Sequence, residues 1–202
     1  WMTDESAALY DTQVETLFFG AAAAMRRQGL VPIAEEVAGR DQRAMRLVDV
    51  ACGTGAVLKD VARAFPRLPA LATDLSEPYV RWTRGELADR PTVRALVANA
   101  EALPLPDASV DVVTNVYLFH ELPPKIRAVV AAEMARVTRP GGIVVLVDSL
   151  QRGDLPELDG LLELFPQMFH EPYYASYTTT DMPALFAPHG MRLEREIGRA
   201  HV

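Results

Sequence analysis

A buried strand that runs directly into a glycine turn constrains the fold of this chain more than any other feature. The segment reads Leu47-Val48-Asp49-Val50-Ala51-Cys52-Gly53-Thr54-Gly55, and a helical pattern follows it. Glycines at 53 and 55 let the backbone turn sharply and approach a ligand, while the helix start offers unpaired N–H groups. This order of elements predicts a site for a nucleotide-like ligand at the turn.

Short apolar runs alternate with helical stretches from residue 40 onwards. Strands are predicted at 46–51, 70–74, 93–98, 110–115, 143–147 and 192–197. Helices are predicted at 56–64, 77–87, 125–137 and 181–187. This alternation indicates a parallel sheet buried on both faces, so we expect an α/β fold: a Rossmann-like, doubly wound, mostly parallel sheet flanked by helices.

The residues before this sheet predict two helices. Apolar side chains recur every three or four residues between positions 4 and 29, and a second helix is expected from Pro32 to Ala38. Residues 1–40 are expected either to close over the ligand as a lid, with Tyr10, Phe18 and Phe19 available to touch it, or to pack on the sheet or a second subunit.

The composition excludes several classes of protein. A chain of 202 residues suits one domain, here 1–202, and a net charge of -7 with scattered basic residues argues against a nucleic-acid partner. No apolar run approaches the roughly 20 residues that cross a bilayer, so no membrane partner is expected. With no leader pattern and a single cysteine, Cys52, we expect a cytoplasmic protein, monomeric or homodimeric.

Two ligand classes compete for the glycine turn. A dinucleotide site has a third glycine, but Leu58 occupies that position. Asp49 would repel a pyrophosphate and attract a cationic amino acid group, so an aminoacyl nucleoside is favoured over NAD. Asp74 closes the second strand, where an acid accepts both ribose hydroxyls; the alternative is a helix cap, for which Ser76 is better suited.

Four motifs in order resemble the class I S-adenosylmethionine-dependent methyltransferases, in particular the bacterial group (type 11) related to ubiquinone and menaquinone methylases. The resemblance covers about residues 45–148. It is carried by Asp49-Val50-Ala51-Cys52-Gly53-Thr54-Gly55, Asp74-Leu75-Ser76, Asn99-Ala100-Glu101-Ala102-Leu103-Pro104 and Arg139-Pro140-Gly141-Gly142.

The resemblance implies S-adenosylmethionine as cofactor, S-adenosylhomocysteine as product and a set of binding residues. Those expected in the cofactor site are Asp49, Ala51, Gly53, Gly55, Asp74, Leu75, Asn99, Ala100 and Asn115. By likeness, Asp49 and the two glycines hold the methionyl part and Asp74 the ribose. Leu75 packs on adenine, Asn99 and Ala100 read its edge, and Asn115 lines the methyl-transfer chamber.

Two positions depart from the family pattern. Asn99 stands where the family usually has Asp, which removes charge assistance from the bond to adenine. The family's sheet also ends with an antiparallel hairpin, whereas this chain stops at Ala200-His201-Val202, just after the sixth predicted strand. Either the last strand is missing or the sheet edge is covered in another way.

The acceptor side is expected after the fourth strand and in an aromatic insertion at 149–180. Pocket residues proposed there are Tyr117, His170, Tyr173, Tyr174 and Tyr177; the alternative is that these rings fill a satellite core. His120 is a candidate general base with Glu121 as its orienting partner, or else it satisfies a loop carbonyl. His170-Glu171 is a second pair of this kind.

The expected activity is methyl transfer by direct displacement to a small, apolar or aromatic acceptor. No His/Cys cluster has zinc spacing and no calcium-type loop appears, so no metal site is expected. The rival functions are a non-catalytic module that binds S-adenosylmethionine and, less favoured, a nicotinamide-dependent oxidoreductase.

Overall fold

Five parallel strands form one central sheet in the order β3-β2-β1-β4-β5. The structure is a computed structural model that describes residues 2–196. The strands are β1 (Leu47–Val50), β2 (Ala70–Asp74), β3 (Val93–Val97), β4 (Val110–Val116) and β5 (Thr138–Val147). All four pairings are parallel, which confirms the predicted doubly wound sheet and brings the carboxyl ends of the strands to one edge.

Helices cover both faces of this sheet. They are α1 (Asp4–Leu17), α2 (Ala22–Gln28), α3 (Leu30–Val37), α4 (Ala56–Ala64), α5 (Glu77–Glu86), α6 (Pro124–Val137), α7 (Asp159–Met168), α8 (Tyr174–Tyr177) and α9 (Met182–Phe186). Short 3₁₀ turns lie at Gln42–Ala44, Phe119–Glu121, Pro156–Leu158 and Ala187–His189. Among residues 2–196, no helix has both the length and the apolar character that crossing a bilayer requires.

Each face of the sheet has its own apolar core. On one face, Ile33 of α3 and Leu58 of α4 pack against β1 residues such as Leu47. On the other, Met134 of α6 packs with Val48 of β1 and with α9. Burial of each such side chain contributes about 1.5–3 kcal/mol, so the two cores fix the strands whose ends form the site.

The N-terminal segment differs from the single helix expected between positions 4 and 29. Phe19 and Gly20 have φ of 51° and 83°, which ends α1 and separates it from α2. Left-handed backbone at two successive residues cannot continue a right-handed helix. The next helix, α3, begins at Leu30 rather than at Pro32.

The sixth strand predicted at 192–197 is not found. Residues 192–196 carry no strand, and Ile197 lies outside the described residues. Arg192 and Glu194 pair with each other, and the guanidinium of Arg195 reaches Glu35 of α3, so these side chains are engaged in ion pairs at the surface. Within residues 2–196, β5 is paired only with β4 and forms an edge of the sheet.

Candidate functional site

The turn between β1 and α4 contains three residues in the left-handed region of backbone conformation. Ala51, Gly53 and Gly55 have φ of 56°, 55° and 77°. A Cβ on Gly55 would stand 2.9 Å from Cγ2 of Thr83, so glycine is needed for close packing against α5. A Cβ on Gly53 would meet only the ring of Tyr79, at 4.0 Å, so this stretch of backbone remains open to close approach.

Asp74 at the end of β2 holds this turn. Its Oδ2 accepts a hydrogen bond from the Gly53 N–H over 2.9 Å, and its Oδ1 accepts one from the Ser76 N–H over 2.8 Å. Ser76 caps α5, as expected, so Asp74 is not the cap. Burial raises the pKa of Asp74, partly opposed by these N–H donors. Each carboxylate oxygen keeps a further lone pair, which suits it to accept ribose hydroxyls.

Asp49 and Asn115 present two buried acceptor atoms at the same sheet edge. Asp49 Oδ1 accepts from Thr114 Oγ1 over 2.6 Å, and Asn115 Nδ2 donates to the Val50 carbonyl over 2.7 Å. Asp49 Oδ2 and Asn115 Oδ1 are buried without a hydrogen-bond partner among the described residues. Buried polar atoms normally have partners, so this pair fits a ligand that donates hydrogen bonds, such as an ammonium group.

The residues expected beside adenine are more exposed. Leu75 is 58% exposed, and Ala100 packs against the second core. Asn99 Oδ1 accepts from the Glu101 N–H over 3.0 Å, and its amide nitrogen lies 3.4 Å from Glu101 Oε1. The Asn99 oxygen therefore already forms a local turn, and its second lone pair is the one left for a ligand.

Helix α1 lies across the glycine turn. Thr54 Oγ1 donates to Asp11 Oδ1 over 2.8 Å, and the rings of Tyr10 and Tyr79 meet edge to face with centroids 5.9 Å apart. Burial, followed by the charge of Tyr79, raises the pKa of Tyr10 well above its usual value, so this phenol stays protonated. These contacts support packing of the N-terminal helix on the site.

Tyr117, directly after β4, combines a strained backbone with a buried hydroxyl. Its φ is 59°, and its OH has no hydrogen-bond partner among the described residues. Phe18 stacks on this ring at 5.9 Å, whereas Phe19 is 89% exposed and points away from the site. Burial raises the pKa of Tyr117 to about 12, so the phenol remains protonated and can donate.

His120 is oriented by Asp148, a residue that sequence reasoning missed. Asp148 Oδ1 lies 2.5 Å from His120 Nδ1, and Oδ2 accepts from the Phe119 N–H over 2.8 Å. Glu121 Oε1 is 4.0 Å from His120 Nε2, too far for a hydrogen bond, so in this structure Asp148 and not Glu121 holds the ring. Burial disfavours the imidazolium, but the bond to Asp148 outweighs it and the pKa of His120 is raised.

The aromatic insertion separates into buried and exposed members. Tyr174 and Tyr177 are buried, and their ring centroids lie 6.0 and 6.1 Å from that of His120. His170 and Tyr173 are exposed. The insertion thus forms a wall beside His120 with Tyr174 and Tyr177, two of the four residues predicted for it. No periodic pattern in the sequence separates these two from His170 and Tyr173.

Arg127 of α6 joins this wall to the His120 segment and was also missed. Its guanidinium donates to the carbonyls of Phe119 and Tyr173, both over 2.8 Å, and to the hydroxyls of Ser176 and Thr180 over 3.0 Å. The side chain is fully buried yet hydrogen-bonded throughout, which is what a buried arginine requires. It fixes the insertion against the segment that carries His120.

The Arg139–Gly142 motif lies at the opposite end of the sheet. Arg139 Nε is 2.6 Å from Asp111 Oδ1, and a second nitrogen is 3.1 Å from Glu36 of α3. A Cβ on Gly142 would stand 2.7 Å from the Asp111 carbonyl oxygen. This motif stabilises the packing of β4, β5 and α3 and does not contribute to the site.

Comparison with known proteins agrees with this geometry. The model of a methyltransferase domain family matches residues 47–142. Residues 47–142, just under half of the chain, therefore match a methyltransferase domain, and the sheet has the Rossmann-like fold of methyltransferases of known structure. Leu58, which stands where a dinucleotide site has its third glycine, is fully buried in the core of this domain.

One similar sequence is the ubiquinone/menaquinone biosynthesis C-methyltransferase of Burkholderia orbicola, 37% identical over 105 residues. The match spans 51% of this chain and only 42% of that protein. Among solved structures, an S-adenosylmethionine-dependent methyltransferase from Aquifex aeolicus is similar in fold, with a TM-score of 0.57, 21% identity and 84% of each chain covered.

A second similar fold was solved with S-adenosylmethionine bound. It is the phosphoethanolamine N-methyltransferase 2 of Haemonchus contortus, with a TM-score of 0.57 and 17% identity over 81% of this chain and 36% of that one. At this identity the likeness concerns the fold alone. A protein with a fold similar to that of this chain therefore binds S-adenosylmethionine.

Proposed function

We propose that the protein transfers a methyl group from S-adenosylmethionine to a small-molecule acceptor. The observation that carries the proposal is the sheet edge at which the buried, unpartnered acceptors of Asp49 and Asn115 lie beside the turn held by Asp74. A cation with hydrogen-bond donors satisfies the free oxygens of Asp49 and Asn115, and the hydroxyls of a ribose satisfy Asp74. The aminoacyl nucleoside has both groups.

The cofactor supplies a methyl group on a sulfonium, so the leaving group needs no further activation and the protein's task is alignment. Asp49 and Asn115 would hold its ammonium group, Asp74 its ribose, and Leu75, Asn99 and Ala100 its adenine. Helix α1 would exclude water from above, because Asp11 and Tyr10 already close the turn.

His120 would act as general base toward the acceptor. Its Nδ1–H donates to Asp148, which leaves Nε2 as the lone-pair nitrogen and fixes the ring. Residues 149–180 would wall the acceptor chamber through Tyr174 and Tyr177, whose rings flank His120. This aromatic wall beside the candidate base supports a small acceptor over a large polymer.

Calorimetric titration with S-adenosylmethionine tests the proposal, with NADH as the parallel ligand. We expect saturable binding of S-adenosylmethionine alone, lost in Asp74→Ala and kept in Asp89→Ala, a matched carboxylate that is 72% exposed on the surface. Binding of NADH, or of neither ligand, would overturn the proposed cofactor. Cofactor binding without methylation of any acceptor in cell extract would favour the non-catalytic binding module.

A further inference from the structure

Three hydrogen-bond acceptors converge beside the aromatic wall. One ligating atom from each of His120, Glu121 and Glu171 lies within 4.8 Å of the other two, and His120 Nε2 is 4.0 Å from Glu121 Oε1. Glu171 Oε2 is buried and has no hydrogen-bond partner among the described residues. Nδ1 of His120 donates to Asp148, so Nε2 carries the lone pair of the ring. Nε2 is therefore the third acceptor of this cluster.

The charge of this cluster is strongly negative. Glu121, Glu171 and Asp148 surround one imidazole, and within residues 2–196 neither glutamate forms an ion pair with a lysine or arginine. Arg127, the nearby cation, directs its donors to carbonyl and hydroxyl oxygens. Burial, followed by the charge of Glu121, raises the pKa of Glu171, so a cation bound here would relieve an unfavourable grouping of carboxylates.

The spacing of the three acceptor atoms bears on which cation they can hold. A metal ion bound at about 2.1 Å holds neighbouring ligand atoms roughly 3 to 3.4 Å apart. An ammonium nitrogen that donates bonds of about 2.8 Å at tetrahedral angles holds its acceptors roughly 4.6 Å apart. The 4.0 Å between His120 Nε2 and Glu121 Oε1 is wider than the metal spacing, and the 4.8 Å that bounds all three separations leaves room for an ammonium group.

We propose that His120, Glu121 and Glu171 bind the protonated amine of the methyl acceptor, so the protein is an N-methyltransferase for amines. This inference rests on the proposed function and names its acceptor class. Three acceptors match the three N–H donors of a primary ammonium. The rings of Tyr174 and Tyr177, both buried, pack edge to face against His120 and hold it beside the two carboxylates.

The same contacts provide the proton transfer that an amine needs. One N–H proton passes to Nε2 of His120, and Asp148 stabilises the imidazolium that forms. The nitrogen keeps the electron pair and forms the new N–C bond to the methyl group. The C–S bond breaks with its pair left on sulfur, so the products are a methylated ammonium and a neutral thioether.

The proposal can be tested without methyl transfer by comparing how tightly the full chain binds amines and the matching alcohols. The protein saturated with S-adenosylhomocysteine is titrated with methylamine, butylamine, benzylamine and phenethylamine, and with the alcohol that has the same skeleton as each amine. We expect at least one amine to bind roughly tenfold or more tightly than its alcohol. Glu171→Gln should reduce this preference by about tenfold, and Glu163→Gln, whose side chain is 59% exposed on α7, should leave it unchanged.

Several outcomes would overturn the inference. One is equal affinity within every amine and alcohol pair; another is an amine preference that Glu171→Gln does not alter although the variant melts at the wild-type temperature. Saturable binding of MnCl₂ or ZnCl₂ that Glu171→Gln abolishes, without amine preference, would make the cluster a metal site. Cofactor binding with methylation only of phenols would refute the amine class and leave the proposed function intact, whereas loss of cofactor binding would refute both.

Discussion

Thr114 donates a hydrogen bond of 2.6 Å to Asp49 across the paired strands β4 and β1, while the second carboxylate oxygen of Asp49 is buried without a partner among the described residues. Burial raises the pKa of Asp49 to about 7; the bond from Thr114 opposes the shift, and the charge of Asp74 adds to it. Ionised Asp49 is thus unfavourable until a cation reaches it.

Asp49→Asn should stabilise the protein at alkaline pH. The unfolded carboxyl titrates near its usual value of 3.8 and the folded one near 7, so the folded state binds the proton more tightly. The stability contribution is complete below pH 4 and is lost as pH rises through 7, by about 4 kcal/mol at most. The free energy of unfolding, measured in urea at pH 5 and at pH 8, should fall less between these pH values in Asp49→Asn than in the wild-type protein. An unchanged pH slope would contradict the prediction, and Asp89→Asn is the control.

Binding of S-adenosylmethionine should release a proton at pH 7. A bound ammonium favours ionised Asp49, whose pKa of about 7 must then fall. The calorimetric binding enthalpy should therefore differ between phosphate and Tris buffers in proportion to their ionisation enthalpies. The difference should vanish in Asp49→Asn and persist in His120→Gln. Equal enthalpies in the two buffers for the wild-type protein would show that Asp49 is not the group that meets the cation.

The strands and the glycine turn could be predicted because buried parallel strands appear as continuous apolar runs. The break at Phe19 could not, since a left-handed phenylalanine follows from how α1 and α2 pack and not from local propensity. Asp148 could have been found: it follows β5 directly, and adjacent parallel strands bring their carboxyl ends to one edge, so it had to lie near the segment after β4 that holds His120. The position of Glu171 beside His120 could not be predicted, because it depends on the three-dimensional path of the insertion at 149–180. No residue spacing in the sequence indicates that path.

Gly55→Ala should destabilise the protein by about 1–3 kcal/mol. The residue adopts a φ of 77°, and the added Cβ would stand 2.9 Å from Thr83 Cγ2. Gly85→Ala is the matched control, because this helical glycine has no atom within 4 Å of an added Cβ. That substitution should stabilise α5 by about 0.5–1 kcal/mol. Thermal unfolding of both variants checks the signs, and equal effects would show that the turn tolerates a side chain.

Asp148→Asn should lower the pKa of His120 and slow methyl transfer by roughly 10²-fold or more. The carboxylate outweighs the burial of His120 and raises its pKa, so its removal leaves burial to favour the neutral ring. A base must be neutral to accept a proton, so the wild-type rate should rise with pH through the raised pKa of His120. NMR titration of the histidine rings, with His120→Gln to assign the signal, measures the pKa, and Asp89→Asn controls for loss of a carboxylate elsewhere. A slower rate with an unmoved histidine titration would mean that Asp148 acts through the Phe119 backbone bond and not through the imidazole.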